Sequence, residues 1–340
     1  MANSRVKRKL PIIVLTVAAG LTAISSWAGW FSPSLVENVY AHHTYPTISH
    51  IAKYFADAVG FSWLDVWLVL ALAAVLFSLI RRNWRLPLTL ICAGYLVFFW
   101  GWGLNYHRKP IQVRLGIEDA PQPTVQEVDQ LTQETALALN RLWPVVAEAD
   151  PPDADTLARL ASERVRRVVA HIDGQDWSSA SRIKHSYLAN WWFRIAGIEG
   201  VFNPFGHEPV LVSGLAGFEK PFLMAHELAH VHGIADEGDA NFVAYMAALE
   251  SERPEFQYSA AFEMWLHLGG SIRRLDPGPR RDLQTYTDRL RADEIPQVTR
   301  LQTAILDSHL KANGVQGGIH SYSRIVTLAV ATRERWEEFR

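Results

Sequence analysis

Three long apolar runs fall within the first 104 residues, and each leaves its backbone little choice but a helix. Leu10 to Phe31, Phe61 to Ile80 and Leu86 to Leu104 are each long enough to cross a hydrocarbon layer about 30 Å thick. Hydrocarbon offers no water to backbone N–H and C=O groups, so such a run must satisfy them within itself. The expectation is a membrane domain over residues 1–104 with three transmembrane helices, at about 10–31, 61–80 and 86–104. Asp65 is the one charge in the second run, and its place near the end suits an interfacial position. A cleavable signal peptide is the rival for the first run, with Ser26-Trp27-Ala28 as its cleavage site. The run is long for that role, and Trp27 and Trp30 suit an interfacial anchor, so retention is expected.

Basic residues set the orientation. The cluster Arg5, Lys7, Arg8, Lys9 and the link with Arg81, Arg82 and Arg85 belong on the cytoplasmic side, whereas residues 32–60 carry only Lys53. Everything after Leu104 is then extracytoplasmic, in a multi-pass protein of the cytoplasmic (inner) membrane. His107, Arg108, Lys109 and Arg114 stand against that orientation. Between Pro46 and Gly60, apolar Ile48, Ile51, Ala52, Phe55 and Val59 at helical spacing describe an amphipathic helix lying on the bilayer, and His42, His43 and His50 read as solvated.

From Asn105 onward the pattern is that of a water-soluble, mostly helical domain over residues 105–340. A net charge of −2 gives no electrostatic case for nucleic acid, and the single cysteine, Cys92, excludes internal disulfides. Pro123-Thr124-Val125-Gln126-Glu127 is a capping-box start, and a second helix is expected from about Asp155 to Gly174, with Arg164, Arg166 and Arg167 on a solvated face. Val201-Phe202-Asn203 and Pro209 to Ser213 read as two short strands around a turn. Backbone groups of Val210, Leu211, Val212 and Ser213 are candidates for binding an extended substrate by strand addition.

Directly after that hairpin comes His226-Glu227-Leu228-Ala229-His230. Two imidazoles four residues apart share one helix face and can reach one metal ion, with Glu227 beside them. A zinc ion held by three protein ligands keeps a place for water and lowers that water's pKa, and Glu227 is the expected general base. Pro221 suits the first turn of this helix, and Gly233 suits its left-handed end. The third ligand is Asp236 if the spacing is short, or Glu237 if a following helix supplies it. Glu237 is favoured, because Glu237 to Leu249 continues as an apolar helix with Asn241 one turn later, placed to support the ligand by a hydrogen bond. Asp236 and Asp239 then read as acids at a helix N-terminus, and His232 as a loop or core histidine.

Near the end, the glycine-punctuated segment Asn313 to Arg324 holds His320, Tyr322 and Arg324, polar groups of the kind that stabilise a developing oxyanion. Ser321 could as well cap the helix that follows.

Several separated segments resemble one family, the bacterial membrane proteins of domain-of-unknown-function family 3810 (DUF3810), which looks similar to gluzincin-type zinc metallopeptidases. The residues that carry the resemblance are Trp102-Gly103-Leu104-Asn105-Tyr106-His107-Arg108, Gly200 to Phe205, His226 to His230 with Glu237, Ala240, Asn241 and Phe242, and Gly317 to Arg324. The resemblance implies a mainly α chain: three N-terminal transmembrane helices, then a zincin-like α+β domain with a small β-hairpin. It also implies His226, His230 and Glu237 as zinc ligands, Glu227 as catalytic base, and Tyr322, Arg324 and His320 close to the site. The expected function is a membrane-anchored zinc metallopeptidase acting on peptides or proteins. Its rivals are a non-catalytic membrane protein with a structural or partner-binding zinc fold, and a zinc amidase of cell-envelope substrates.

Overall fold

The computed structural model describes residues 2–150, 152–178, 182–315, 318 and 324–337. It is mainly helical with one two-stranded antiparallel sheet. The apolar runs fold as α1 (Ala2–Trp27), α4 (Trp63–Arg81) and α5 (Arg85–Gly101). Of these, Trp63–Arg81, with 19 residues and a mean hydropathy of 2.3, is long and apolar enough to cross a membrane. The apolar parts of the other two, Pro11–Trp27 and Arg85–Gly101, are shorter. Among the described residues the expected count of three spans is thus met by one helix on length and composition; the third run leaves its helix at Gly101, and its last residues turn into a tight 3-10 segment, Gly103–His107.

Residues 33–57 run on as α2 (Pro33–Leu35), a π-helical stretch over Val36–Thr44 and α3 (Tyr45–Asp57). This is longer than the surface helix expected from Pro46, and its Val36, Tyr40 and Tyr45 are buried. After the short α6 (Ile111–Arg114), α7 (Val125–Glu148) starts at the expected capping box, where the Thr124 hydroxyl accepts from the Glu127 N–H at 3.3 Å and the Glu127 carboxylate accepts from the Thr124 N–H at 2.7 Å. Asp153 caps α8 (Ala154–Asp173), and Gly174 closes it in the left-handed region. Arg164 does not stay in solvent: it donates to the Glu250 carbonyl at 2.9 Å.

Beyond α9 (Asn190–Ala196), strands β1 (Gly200–Asn203) and β2 (Glu208–Leu211) pair with Gly200 opposite Leu211 and Asn203 opposite Glu208. Next come α10 (Lys220–Val231), α11 (Glu237–Leu249) and α12 (Pro254–His267), followed by α13 (Pro277–Asp293), α14 (Pro296–Ala312) and α15 (Arg324–Glu337). Helix α10 is central, packed on α8, α11, α12 and the hairpin.

Residues on both sides of position 104 share one core. Val36, Tyr45, Phe99 and Trp102 pack in the same cluster as Phe202, Leu228 and Phe242, so the boundary expected at residue 104 does not divide two cores. Polar contacts reinforce the joint. Glu208, fully buried, accepts from the Ser62 hydroxyl at 2.7 Å and from the Trp63 and Leu64 N–H groups at 3.0 and 2.9 Å, while the Lys184 ammonium lies 3.0 Å away. The hairpin therefore caps the N-terminus of α4 with a carboxylate, where the helix dipole favours one. Asp65, expected at an interface, accepts from the Tyr187 and Leu188 N–H groups at 2.9 and 3.1 Å and ties the same end of α4 to the helical part.

Candidate metal centre

Every residue of α10 from Pro221 to Val231 is buried, so its polar side chains must be satisfied inside the protein. Pro221 occupies the first turn as expected. At the other end the Trp102 indole N–H donates to the His230 carbonyl at 3.1 Å and the Tyr45 hydroxyl donates to the Val231 carbonyl at 2.8 Å. These bonds occupy carbonyls that a helix C-terminus would otherwise leave open. Gly233 then turns the chain at φ +77°, with a virtual Cβ 2.8 Å from Asn105 Oδ1 and 2.9 Å from the Tyr45 ring, so both the conformation and the close approach require glycine.

That turn aims α11 back at α10. Nε2 of His226 and Nε2 of His230 lie 3.1 Å apart, and the Glu237 Oε2 is 3.2 Å from the first and 3.4 Å from the second. Ligands of a tetrahedral cation with bonds of 2.0–2.1 Å stand about 3.3 Å apart, so this triangle fits a metal ion. It is the group of that kind among the described residues. His230 Nδ1 donates to the Ile234 carbonyl at 2.6 Å, which fixes the tautomer that leaves Nε2 free to ligate. Asp236 is not in the triangle: it caps α11, accepting from the Asp239 N–H at 3.1 Å, and pairs with Arg324 at 3.2 Å. Asn241 is buried one turn after Glu237, on the cavity wall.

Charges in the triangle pull against burial. Burial alone would lower the His230 pKa, but the Glu237 charge and hydrogen bond raise it to about 9. Burial would raise Glu237, yet His230 and His226 hold it well below the usual carboxylate range. For Glu227 burial wins: its pKa rises to about 7, with the two histidines opposing and Glu237 adding to the rise.

Glu227 lies outside the triangle, 3 % exposed, and its Oε2 has no hydrogen-bond partner among the described residues. The backbone of Gly200 passes close beside it. A Cβ on Gly200 would sit 2.9 Å from the Glu227 carboxyl carbon, so an added methyl would have to displace that buried side chain. Gly200→Ala should cost about 1–3 kcal/mol in denaturant unfolding, and most of that penalty should vanish in a Glu227→Ala background, where the overlapping atoms are gone.

A cavity of about 550 Å³ opens over the triangle. Its wall includes Gly200, Val201 and Phe202 from β1, with Phe98, Trp102 and Tyr106 from the end of α5 and beyond, and His309 from α14. Strand β2 does not line it. Val210, Leu211 and Val212 are buried, and Lys184 pairs with β2 on the side away from β1, through the Lys184 N–H to Pro209 and the Leu211 N–H to Lys184, both at 2.9 Å. The expected substrate strand Val210–Ser213 is therefore an inner strand, and the free edge is β1. Val212 donates to the Glu199 carbonyl at 2.9 Å, so antiparallel alternation turns the backbone groups of Gly200 and Phe202 away from β2 and toward the cavity side.

Of the C-terminal candidates, His320 and Tyr322 lie outside the described residues. Arg324 does not line the metal cavity. It pairs with Asp236 and with Asp239 at 3.0 Å, donates to the Gln112 side-chain oxygen at 2.8 Å, and faces a separate cavity of about 480 Å³ behind α11. His232 is a core histidine packed against Trp177, ring centroids 4.7 Å apart and tilted at 48°. Sequence reasoning gave His309 no role and put Trp102 and Gly200 only within the segments of the resemblance, because each reaches the site from a distant part of the chain.

A family model described as "Protein of unknown function (DUF3810)" matches residues 40–330. The chain belongs to the DUF3810 family. No curated protein and no solved structure matches it. The DUF3810 match spans both the apolar helices α4 and α5 and the whole metal triangle, in keeping with the single core that joins them.

Proposed function

We propose that this protein is a membrane-anchored zinc-dependent metallopeptidase of gluzincin type. The observation that carries the reading is the triangle of His226, His230 and Glu237 at 3.1–3.4 Å with a carboxylate, Glu227, held beside it and excluded from it. Three N/O donors with room for a further partner suit a catalytic rather than a closed structural zinc site. Bound there, zinc supplies Lewis acidity, making water acidic near neutral pH and polarising an amide carbonyl. Glu227 accepts the proton released as water attacks, and later delivers it to the leaving amine. The outward backbone groups of Gly200 and Phe202 bind an extended peptide as a further strand. His309, which lines the same cavity, donates to the carbonyl oxygen as charge develops.

Helices α1, α4 and α5 form the anchor. The Ser26 hydroxyl lies 2.9 Å from His107 Nε2, Trp63 is capped by Glu208, and Trp102 bonds α10, so the ends of the three helices that lack the arginine cluster meet the catalytic part. With Arg81, Arg82 and Arg85 at the far end, the positive-inside preference places the catalytic part outside the cytoplasmic membrane.

The test is metal-dependent hydrolysis by the detergent-purified chain. Equimolar zinc is expected by elemental analysis, with cleavage of a fluorogenic peptide library lost on chelation and restored by zinc. Hydrolysis that survives complete removal of the metal would overturn the reading.

A further inference from the structure

The metal cavity carries a second set of ionisable groups for which hydrolysis has no use. Glu199, just before β1, and Glu263 and His267, one turn apart on α12, all line its wall. Glu199 and Glu219 both pair with Arg289 of α13, and Glu219 also accepts the Ala216 N–H at 2.7 Å. One guanidinium thus serves two carboxylates. Glu263 is the third acid of the group: it is 8 % exposed, and its Oε1 is buried without a hydrogen-bond partner among the described residues. Burial, with the charges of Glu199 and Glu219 adding, pushes the Glu263 carboxyl up, so a cation entering beside it would restore its charge.

A buried carboxyl oxygen without a partner is costly, and a partner entering from the cavity removes the cost. A bare metal ion is the wrong partner, since the three carboxylates do not bring their oxygens close enough together to form a metal-holding group among the described residues. A primary ammonium, compact and with three donors, suits spaced acceptors. Phe222 and Leu223 supply apolar wall in the same cavity for the carbon skeleton that carries it.

We infer that Glu263 and Glu199 form an ammonium subsite beside the metal centre, so that the cavity takes a substrate with a primary ammonium close to the bond that is cut. The inference rests on the peptidase reading for the bond, and on the cavity wall alone for the ammonium. Either a free amino terminus or a lysine side chain supplies that group.

Hydroxamates, which chelate zinc without turnover, separate these cases. Binding of leucine hydroxamate, N-acetyl-leucine hydroxamate and Nα-acetyl-lysine hydroxamate to the zinc-loaded full chain in detergent is measured by calorimetry. Leucine hydroxamate is expected to bind at least ~10-fold tighter than its N-acetyl form if the amino terminus is read, and Nα-acetyl-lysine hydroxamate to show that advantage if the side chain is. Glu263→Gln, nearly isosteric, should abolish the preference while zinc content and melting temperature hold. Equal binding of all three probes, or a preference that survives Glu263→Gln, overturns the subsite, as does failure of zinc-replete protein to bind any of them. Peptide hydrolysis is scored separately: a chain that discriminates the hydroxamates yet cleaves no peptide keeps the subsite and loses the peptidase reading.

Discussion

Glu227→Gln is expected to lower peptide hydrolysis by roughly 10²–10⁴-fold, the usual contribution of a positioned acid–base group, and to leave zinc content unchanged. The amide keeps the shape that packs against Gly200 but cannot accept a proton. Because Glu227 is outside the donor triangle, removing its charge removes no ligand. His226→Ala breaks the triangle itself and should lose metal and activity together. Initial rates and elemental analysis on the same preparations tell the two losses apart. Equal hydrolysis by wild type and Glu227→Gln would exclude this carboxylate as the base, whatever metal is found.

The largest stability effect is expected at Arg108. Its guanidinium lies 2.5 Å from Glu37 and 2.9 Å from Asp173, and all three side chains are no more than 5 % exposed. Arg114 holds the second Asp173 oxygen at 2.6 Å, and Arg108 also reaches the Gly233 carbonyl at 3.4 Å. Arg108→Ala takes the guanidinium partner from buried Glu37 and one of two from buried Asp173, and should cost about 3–5 kcal/mol, measured by denaturant unfolding in detergent. Burial alone would raise the Asp173 pKa, but Arg108 and Arg114 bring it down to about 2. A depressed carboxylate stabilises the fold fully above its unfolded value near 3.8, and that contribution, on the order of 2 kcal/mol, is lost as pH falls through about 2. The gap between wild type and Arg108→Ala should therefore narrow between pH 3.8 and about 2. A gap that stays constant across that range would place the cost elsewhere.

Local chemistry was legible in the sequence where both partners are close along the chain. The capping box at Thr124 and Glu127, the Gly233 turn and the spacing of His226 and His230 all need only neighbours within a few residues, and each appears where periodicity and turn chemistry put it. Glu237 was favoured over Asp236 because it begins an apolar helix, and Asp236 does act as that helix's cap. The edge of the sheet was assigned to β2 instead of β1, since the isolated pairing with Lys184 comes from a segment with no strand pattern of its own. Arg324 was placed with the reacting groups on composition alone, whereas its partners are the acids at the start of α11. A division at residue 104 followed from hydropathy, which reports solubility and is blind to Trp102 and Tyr45 reaching across to α10.

Those two side chains have a practical consequence for anyone wishing to study the chemistry in plain buffer. A shortened version starting at residue 105 would lack Tyr45 and Trp102, exposing the last turn of α10 and unroofing Phe202 and the cavity wall. Fraying would then begin one residue from His230 of the donor triangle. Detergent or a nanodisc is thus a condition of the experiment, and failure of a clipped variant to bind zinc would report on the clipping.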